Sequence, residues 1–273
     1  MNNNISIEKL KNMSYTEFIS YSHQWNIPPG SFSTLSEWIT FGRIDKSSRV
    51  LEIACTTGFS SREIAKITGC SAVGIDICKA SIEIAKFNKE KYGKELDLKY
   101  FCEDAYKFKS KEKFTHIILG AALGFFEKPQ CILENLNDLL VDGGIILVSP
   151  YYLKNEELSK ELIEKTKNII QIIPTNFDYY TAIKPYENFE VLYESRKNII
   201  PENKNQMIKY CSDTVNMACE INGISDNNIK QYMFDRMYEI KDVCNELHKK
   251  FGYSVMVLRY RKDIYPNRFV ELF

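Results

Sequence analysis

Hydrophobic and polar positions follow two periods along the middle of this chain, and the switches between them mark its elements. Apolar or period-two segments at 49–54, 71–76, 96–102, 113–120 and 143–149 predict five strands. Stretches at about 59–68, 79–92 and 129–140 repeat their apolar residues every three or four positions and predict helices between them. Four of the strands are almost continuously apolar, as strands covered on both faces must be. The third alternates, with Leu96, Leu98, Tyr100 and Cys102 on one face and Asp97, Lys99 and Glu103 on the other, which places it at a sheet edge. Ile132, Leu133, Leu136, Leu139 and Leu140 form a helical stripe that docks on the sheet, and Asp142-Gly143-Gly144 turns the chain into strand five.

Less regular segments flank this core. Ser14-Tyr-Thr-Glu17 is a capping box opening a helix to about Gln24, Pro28-Pro29-Gly30 breaks the pattern, and a second short helix spans Phe32 to Phe41. Beyond Pro150 a helix is predicted over 155–172, then a loop holding Pro174, Phe177, Tyr179, Tyr180 and Pro185, then a strand over 189–199. Two helices follow, with Ile208, Cys211, Val215, Ala218 and Cys219 on one face of the first and Ile229, Tyr232, Met233, Met237, Ile240, Cys244 and Leu247 on one face of the second. A last strand at 254–260 pairs with the strand at 189–199. The expected architecture is α/β, a doubly wound seven-stranded mixed sheet with an N-terminal helical flap (1–45), a cofactor-binding core (46–150) and a C-terminal part carrying a helical lid insertion (151–273).

Composition narrows the function. Lys plus Arg and Asp plus Glu both number 36, and the resulting zero net charge, with no basic block, counts against nucleic acid and favours a small or neutral substrate. The eight cysteines, at 55, 70, 78, 102, 131, 211, 219 and 244, form no C-x-x-C pair, so no zinc site is expected and the thiols are read as reduced residues of a cytoplasmic protein. No stretch is apolar for long enough to cross a bilayer, and the N-terminus has no signal-peptide core, so no membrane association is expected.

The chemistry concentrates in Val50–Ser61, VLEIACTTGFSS, followed by Ala72-Val-Gly-Ile-Asp76. An apolar strand, a tight turn of small residues and a helix, then a second strand ending on a carboxylate, are how an open α/β sheet holds an adenosine-containing ligand. Ser60-Ser-Arg-Glu63 reads as a capping box that aims the helix N-terminus at that crevice. Val50-Leu-Glu-Ile-Ala-Cys-Thr-Thr-Gly58 resembles motif I of the class I S-adenosylmethionine-dependent methyltransferases, a Rossmann-like family whose pattern is acidic-x-Gly-x-Gly-x-Gly. The resemblance extends over about 49–150, through the Leu139–Val148 segment with its Gly-Gly pair. Glu52 matches the acidic position and Gly58 the third glycine, while Ala54 and Thr56 replace the first two. The resemblance implies S-adenosylmethionine as cofactor and its demethylated form, S-adenosylhomocysteine, as product. It places the hydroxyls of Thr56 and Thr57 on the methionine carboxylate and Asp76, with Ile77 beside it, on the ribose. It further places Asp104 and Ala105 at the adenine edge, Gly120 and Ala121 beneath the sulfonium, and Tyr21 of the flap at the methionine end.

Other features bear on the acceptor. Strand four lacks an Asn/Asp-Pro-Pro-Tyr motif, which disfavours base or glutamine-amide methylation, and the turn lacks the spacing of a dinucleotide oxidoreductase. Trp25, Phe32, Phe125, Tyr151, Tyr152, Tyr179 and Tyr180 are placed to line an enclosed, partly apolar acceptor pocket. His116 reads as a core residue and His248 as solvated, leaving His23 as the histidine considered for a general base; no catalytic residue is assigned. The expected activity is methyl transfer by in-line displacement to a small-molecule O, N or C acceptor. An RNA or protein methyltransferase and a non-catalytic cofactor-binding regulator stand as the alternatives.

Overall fold

A computed structural model describes residues 5–154 and 157–262. The five expected strands are β1 (Arg49–Ile53), β2 (Ser71–Asp76), β3 (Leu98–Cys102), β4 (Phe114–Gly120) and β5 (Leu140–Val148); β6 (Tyr151–Leu153), β7 (Glu190–Asn198) and β8 (Phe251–Arg259) follow. The first five are parallel in the order 3-2-1-4-5. β8 runs antiparallel beside β5 and is covered on its other side by β7. β6 had no counterpart in the sequence pattern. It pairs with the first residues of β8 while β5 pairs with the last, and the Ser254 N–H bridges the gap by donating to the Pro150 carbonyl at 3.1 Å. Pro150 lacks an N–H, so it interrupts one strand into two, and among the described residues eight strands fill seven positions. β3 lies at the edge, as its alternation required, although Cys102 at its end is exposed rather than buried.

Helices cover both faces. α3 (Phe32–Gly42), α4 (Phe59–Thr68) and α5 (Lys79–Tyr92) bury Leu35, Trp38, Ile64, Ala65, Ile82 and Ala85 against one face; α6 (Pro129–Leu139) lays its predicted stripe on the other. β5 starts earlier than expected, because Leu140 already pairs with Phe114, and Gly143, at φ +77°, sits in the irregular stretch before Ile145 rejoins the ladder.

The expected flap divides between two cores. α3 belongs to the sheet: the buried His116 contacts the Gly42 carbonyl through Nε2 at 2.8 Å. α1 (Ile7–Asn12), which the pattern did not announce, and α2 (Tyr15–Tyr21), with its capping box formed, pack Leu10, Phe18 and Ile19 into one apolar cluster with the lid. That lid comprises α7 (Lys160–Ile170), α9 (Lys204–Asn222) and α10 (Asn227–Lys250), resting on Leu153 of β6 and Phe251 of β8. The expected start of the α7 helix at Asn155 lies outside the described residues. The loop expected around Tyr179 contains a further short helix, α8 (Tyr179–Ile183), capped by Asp178.

Candidate active site

Where β1 gives way to α4 the backbone turns through three left-handed residues: Ala54 (φ +56°), Thr56 (φ +47°) and Gly58 (φ +73°). These are the three positions at which the motif has glycine, so alanine and threonine here keep a conformation that costs side-chain-bearing residues about 1–2 kcal/mol each. The turn persists because it is fastened on every side. The Gly58 N–H donates to the Cys55 carbonyl at 2.8 Å and the Cys55 N–H to the Ile75 carbonyl at 3.0 Å. The Thr56 N–H donates to Asp76 Oδ2 at 2.9 Å, Asn88 Nδ2 to the Thr57 carbonyl at 3.0 Å, and Tyr100 Oη to the Gly58 carbonyl at 2.8 Å.

Thr57 departs from expectation. Its hydroxyl donates to the Gln24 carbonyl at 3.2 Å and accepts from the Asn26 N–H at 3.3 Å, so it ties the turn to the flap instead of facing a ligand. The Thr56 side chain is half-buried. Glu52 also changes role. The Ser60–Glu63 capping box does not form, because Gly58 occupies the cap position of α4 and Glu63 accepts from the Arg62 Nε. Glu52, buried under the turn, accepts the Ser61 N–H at 3.0 Å and so caps the helix from another strand. Desolvation pushes its carboxyl above the usual range, opposed by the bonds from Ser61.

Asp76 closes β2 almost buried, 8% exposed. Its Oδ1 accepts the Cys78 N–H at 2.8 Å and its Oδ2 the Thr56 N–H, leaving each oxygen a second lone pair for another donor. Burial raises its pKa and the two amides oppose the rise. Ile77, next in the chain, is 75% exposed. Asp104, in the loop after β3, accepts the Tyr106 N–H at 3.0 Å and lies 3.7 Å from Lys107 Nζ, and Ala105 packs half-buried on the second core. Gly120 ends β4 at φ +55°, where an added Cβ would meet only Trp38, at 4.0 Å; Ala121 follows, half-buried. All these groups sit along the carboxyl ends of β1, β2, β3 and β4.

The aromatic residues do not gather into one pocket. Trp25 and Phe32 pack on Phe59, at 5.8 and 5.5 Å between ring centroids, and Trp25 also meets Tyr92 at 5.6 Å. Trp25, Phe59 and Tyr92 surround the fully buried guanidinium of Arg62, which lies 5.0 Å from the Trp25 ring with no hydrogen-bond partner for either Nη, while Phe32 is 52% exposed. This is a cation-centred packing unit between α4 and α5. Tyr151 is turned into the lid core beside Phe251, where burial raises its pKa. Tyr152, Tyr179 and Tyr180 do form a contiguous group, with Arg196 stacked 4.1 Å over Tyr179 and Tyr180 exposed. Phe125 stands apart, exposed beyond β4. Tyr21 packs with the lid core, where burial raises its pKa with help from Cys219, and its carbonyl accepts from Asn222 Nδ2 at 3.0 Å. His23 is enclosed, and its Nδ1 has no hydrogen-bond partner. It is 1% exposed, donates from Nε2 to Asn222 Oδ1 at 3.3 Å, meets the Phe87 ring edge-on, and burial lowers its pKa. His248, expected in solvent, is half-buried.

Sequence reading missed Tyr100, Asn88 and Gln24, because each contacts the turn from an element distant in sequence. One signal was available: Tyr100 pairs in register with Gly74, and a Cβ at Gly74 or Gly58 would fall 2.3–2.6 Å from the tyrosine. Those two glycines and that ring specify one another.

The parallel 3-2-1-4-5 order followed by an antiparallel strand pair is the sheet of class I S-adenosylmethionine-dependent methyltransferases. The left-handed turn and the buried Asp76 carboxylate with unused lone pairs fit that cofactor. Residues 44–236 match the methyltransferase domain family. A malonyl-[acyl-carrier protein] O-methyltransferase of Ilyobacter polytropus is 22% identical over 197 residues, 71% of this chain and 73% of that protein. The crystal structure of the MccD protein aligns with a TM-score of 0.70 at 26% identity, covering 86% of this chain and 100% of that one. A S-adenosylmethionine-dependent methyltransferase of Geobacter sulfurreducens in complex with S-adenosyl-L-homocysteine aligns with a TM-score of 0.67 at 18% identity, covering 90% and 98%. The chain belongs to the methyltransferase domain family and its cofactor is S-adenosylmethionine.

Proposed function

We propose that this enzyme transfers the methyl group of S-adenosylmethionine to a small-molecule acceptor. The observation that carries the reading is the tie between the turn and its roof: Gln24 accepts from Thr57 through its carbonyl and donates from Nε2 to Tyr210 of α9 at 2.9 Å. A flap and helical insertion tied to the turn in this way suit an enclosed acceptor better than a macromolecule. The balanced charge supports the same reading.

Asp76, with Ile77 beside it, would accept the ribose hydroxyls, the Asp104-Ala105 loop would border the adenine, the α4 N-terminus would receive the carboxylate, and Gly120 and Ala121 would leave room at the sulfur. When bound, the cofactor supplies an electrophilic methyl group on a sulfonium. The protein's own contribution is positioning and the exclusion of water; His23 and His116 are both held in packing contacts, and the reading assigns neither a proton-transfer role. Phe32, Phe125, Tyr152 and Tyr180 are exposed or half-exposed aromatic residues against which an acceptor would rest. Among the described residues no helix is long and apolar enough to cross a membrane.

Thermal unfolding with the cofactor and with S-adenosylhomocysteine is the first test. At a hundredfold excess over Kd the gain is about 2.7 kcal/mol, a rise of roughly 5–10 °C for a chain of this size; no rise with either at millimolar concentration refutes the reading. Labelled cofactor incubated with separated small-molecule and macromolecular fractions of a cell extract then decides the acceptor class. Label confined to RNA or protein overturns a small-molecule acceptor.

A further inference from the structure

We infer that Tyr100 is a positioning residue for the carboxylate end of the cofactor, acting through the Gly58 carbonyl to aim the Phe59 N–H into the site; this rests on the cofactor reading above. Tyr100 reaches from edge strand β3 under β2, crossing at Gly74, and its ring occupies the space that Cβ atoms on Gly58 and Gly74 would need. Its buried hydroxyl donates to the Gly58 carbonyl at 2.8 Å and lies 3.2 Å from Ser61 Oγ. In a trans peptide the C=O and the following N–H point in opposite directions. A Gly58 carbonyl held down onto Tyr100 therefore turns the Phe59 N–H, the first of α4, away from the sheet and toward the crest.

Two further observations bear on that orientation. Gly58 has no side chain to cap α4, and the Gly58–Phe59 peptide plane is held through its carbonyl. The Arg62 N–H reaches the same carbonyl only at 3.4 Å, which leaves the tyrosine as the closer partner. Burial raises the phenol pKa well above its ordinary value, so the hydroxyl remains a donor across the working pH range. Tyr100 touches no reacting atom; it acts by orientation, and removing only its oxygen leaves the ring in place beneath both glycines.

The experiment compares wild type and Tyr100→Phe by calorimetric titration with two ligands, S-adenosylhomocysteine and 5′-methylthioadenosine, which shares the adenosine and sulfur but lacks the carboxylate. Loss of one aimed hydrogen bond predicts a Kd for S-adenosylhomocysteine weakened about 3- to 10-fold, with methylthioadenosine unchanged. A general loosening of the turn would weaken both ligands alike, and equal losses, or no loss for S-adenosylhomocysteine, overturn the inference. Wild type that binds methylthioadenosine but not S-adenosylhomocysteine also overturns it, whereas wild type that binds neither refutes the cofactor reading itself. A measurement on wild type alone guards against a variant that fails to fold. The Phe59 amide resonance should shift on adding S-adenosylhomocysteine and stay in place with methylthioadenosine, and a Phe59 signal indifferent to both overturns the proposal.

Discussion

Thr56→Gly should stabilise the protein, although glycine substitutions usually do the reverse. Thr56 is held at φ +47°, where a β-branched side chain crowds the backbone at a cost of about 1–2 kcal/mol. Glycine removes that cost and adds about 0.4–1 kcal/mol of chain entropy to the unfolded state. The Thr56 N–H bond to Asp76 comes from the backbone and survives the substitution. The net gain is about 0.5–1 kcal/mol, or roughly 1–3 °C in Tm for a chain of 273 residues. Urea unfolding of the ligand-free protein measures it as a shift in midpoint at constant slope. Thr56→Val keeps the branched carbon and should gain nothing. Thr57→Gly should lose stability, because the buried Thr57 hydroxyl makes two bonds to the flap. A Thr56→Gly variant destabilised by 0.5 kcal/mol or more, on the scale of an ordinary glycine substitution, would refute the argument that the turn stores strain.

Glu52→Gln should also stabilise, in a pH-dependent way. Burial holds the folded-state pKa above 4.5, so the native state binds the proton more tightly than the unfolded state. Wild-type stability from this group is therefore full below about 4.5 and is lost as pH rises through the folded pKa. The advantage of glutamine should be absent below that value and grow above it; a pH-independent difference in urea midpoint argues against the burial assignment. Gly74→Ala should cost about 1–3 kcal/mol through its clash with Tyr100 and Cys55. In a Tyr100→Leu background the same change should cost less by about 1 kcal/mol or more, and strictly additive unfolding energies would show that the ring is not the obstacle. Asp76→Ala should weaken S-adenosylhomocysteine binding by about 1.5–3 kcal/mol and, because Thr56 and Cys78 lose their acceptor, lower ligand-free stability by a further 1–3 kcal/mol. Unchanged affinity by titration would mean that the ribose is held elsewhere.

The sequence by itself determined the parallel strands, the edge position of β3, the β7–β8 pair and the crest on which Asp76, Gly58 and Gly120 stand. Each depends on local period, turn chemistry or the fixed hand of strand-helix-strand connections, all of which are written in neighbouring residues. Tertiary structure alone decided where hydroxyls, carboxylates and rings point. Glu52 caps a helix nine residues away, Thr57 grips the flap, Trp25, Phe59 and Tyr92 wrap Arg62, and His23 is sealed against Asn222. A side chain's partner is set by what other segments bring within about 3 Å of it, and period carries no information about that distance. The same holds for Ala54 and Thr56: their identities read as departures from the glycine motif, while their left-handed backbone shows the turn retained. It is kept by Asp76, Asn88 and Tyr100, which reach it from 20, 31 and 42 residues away along the chain.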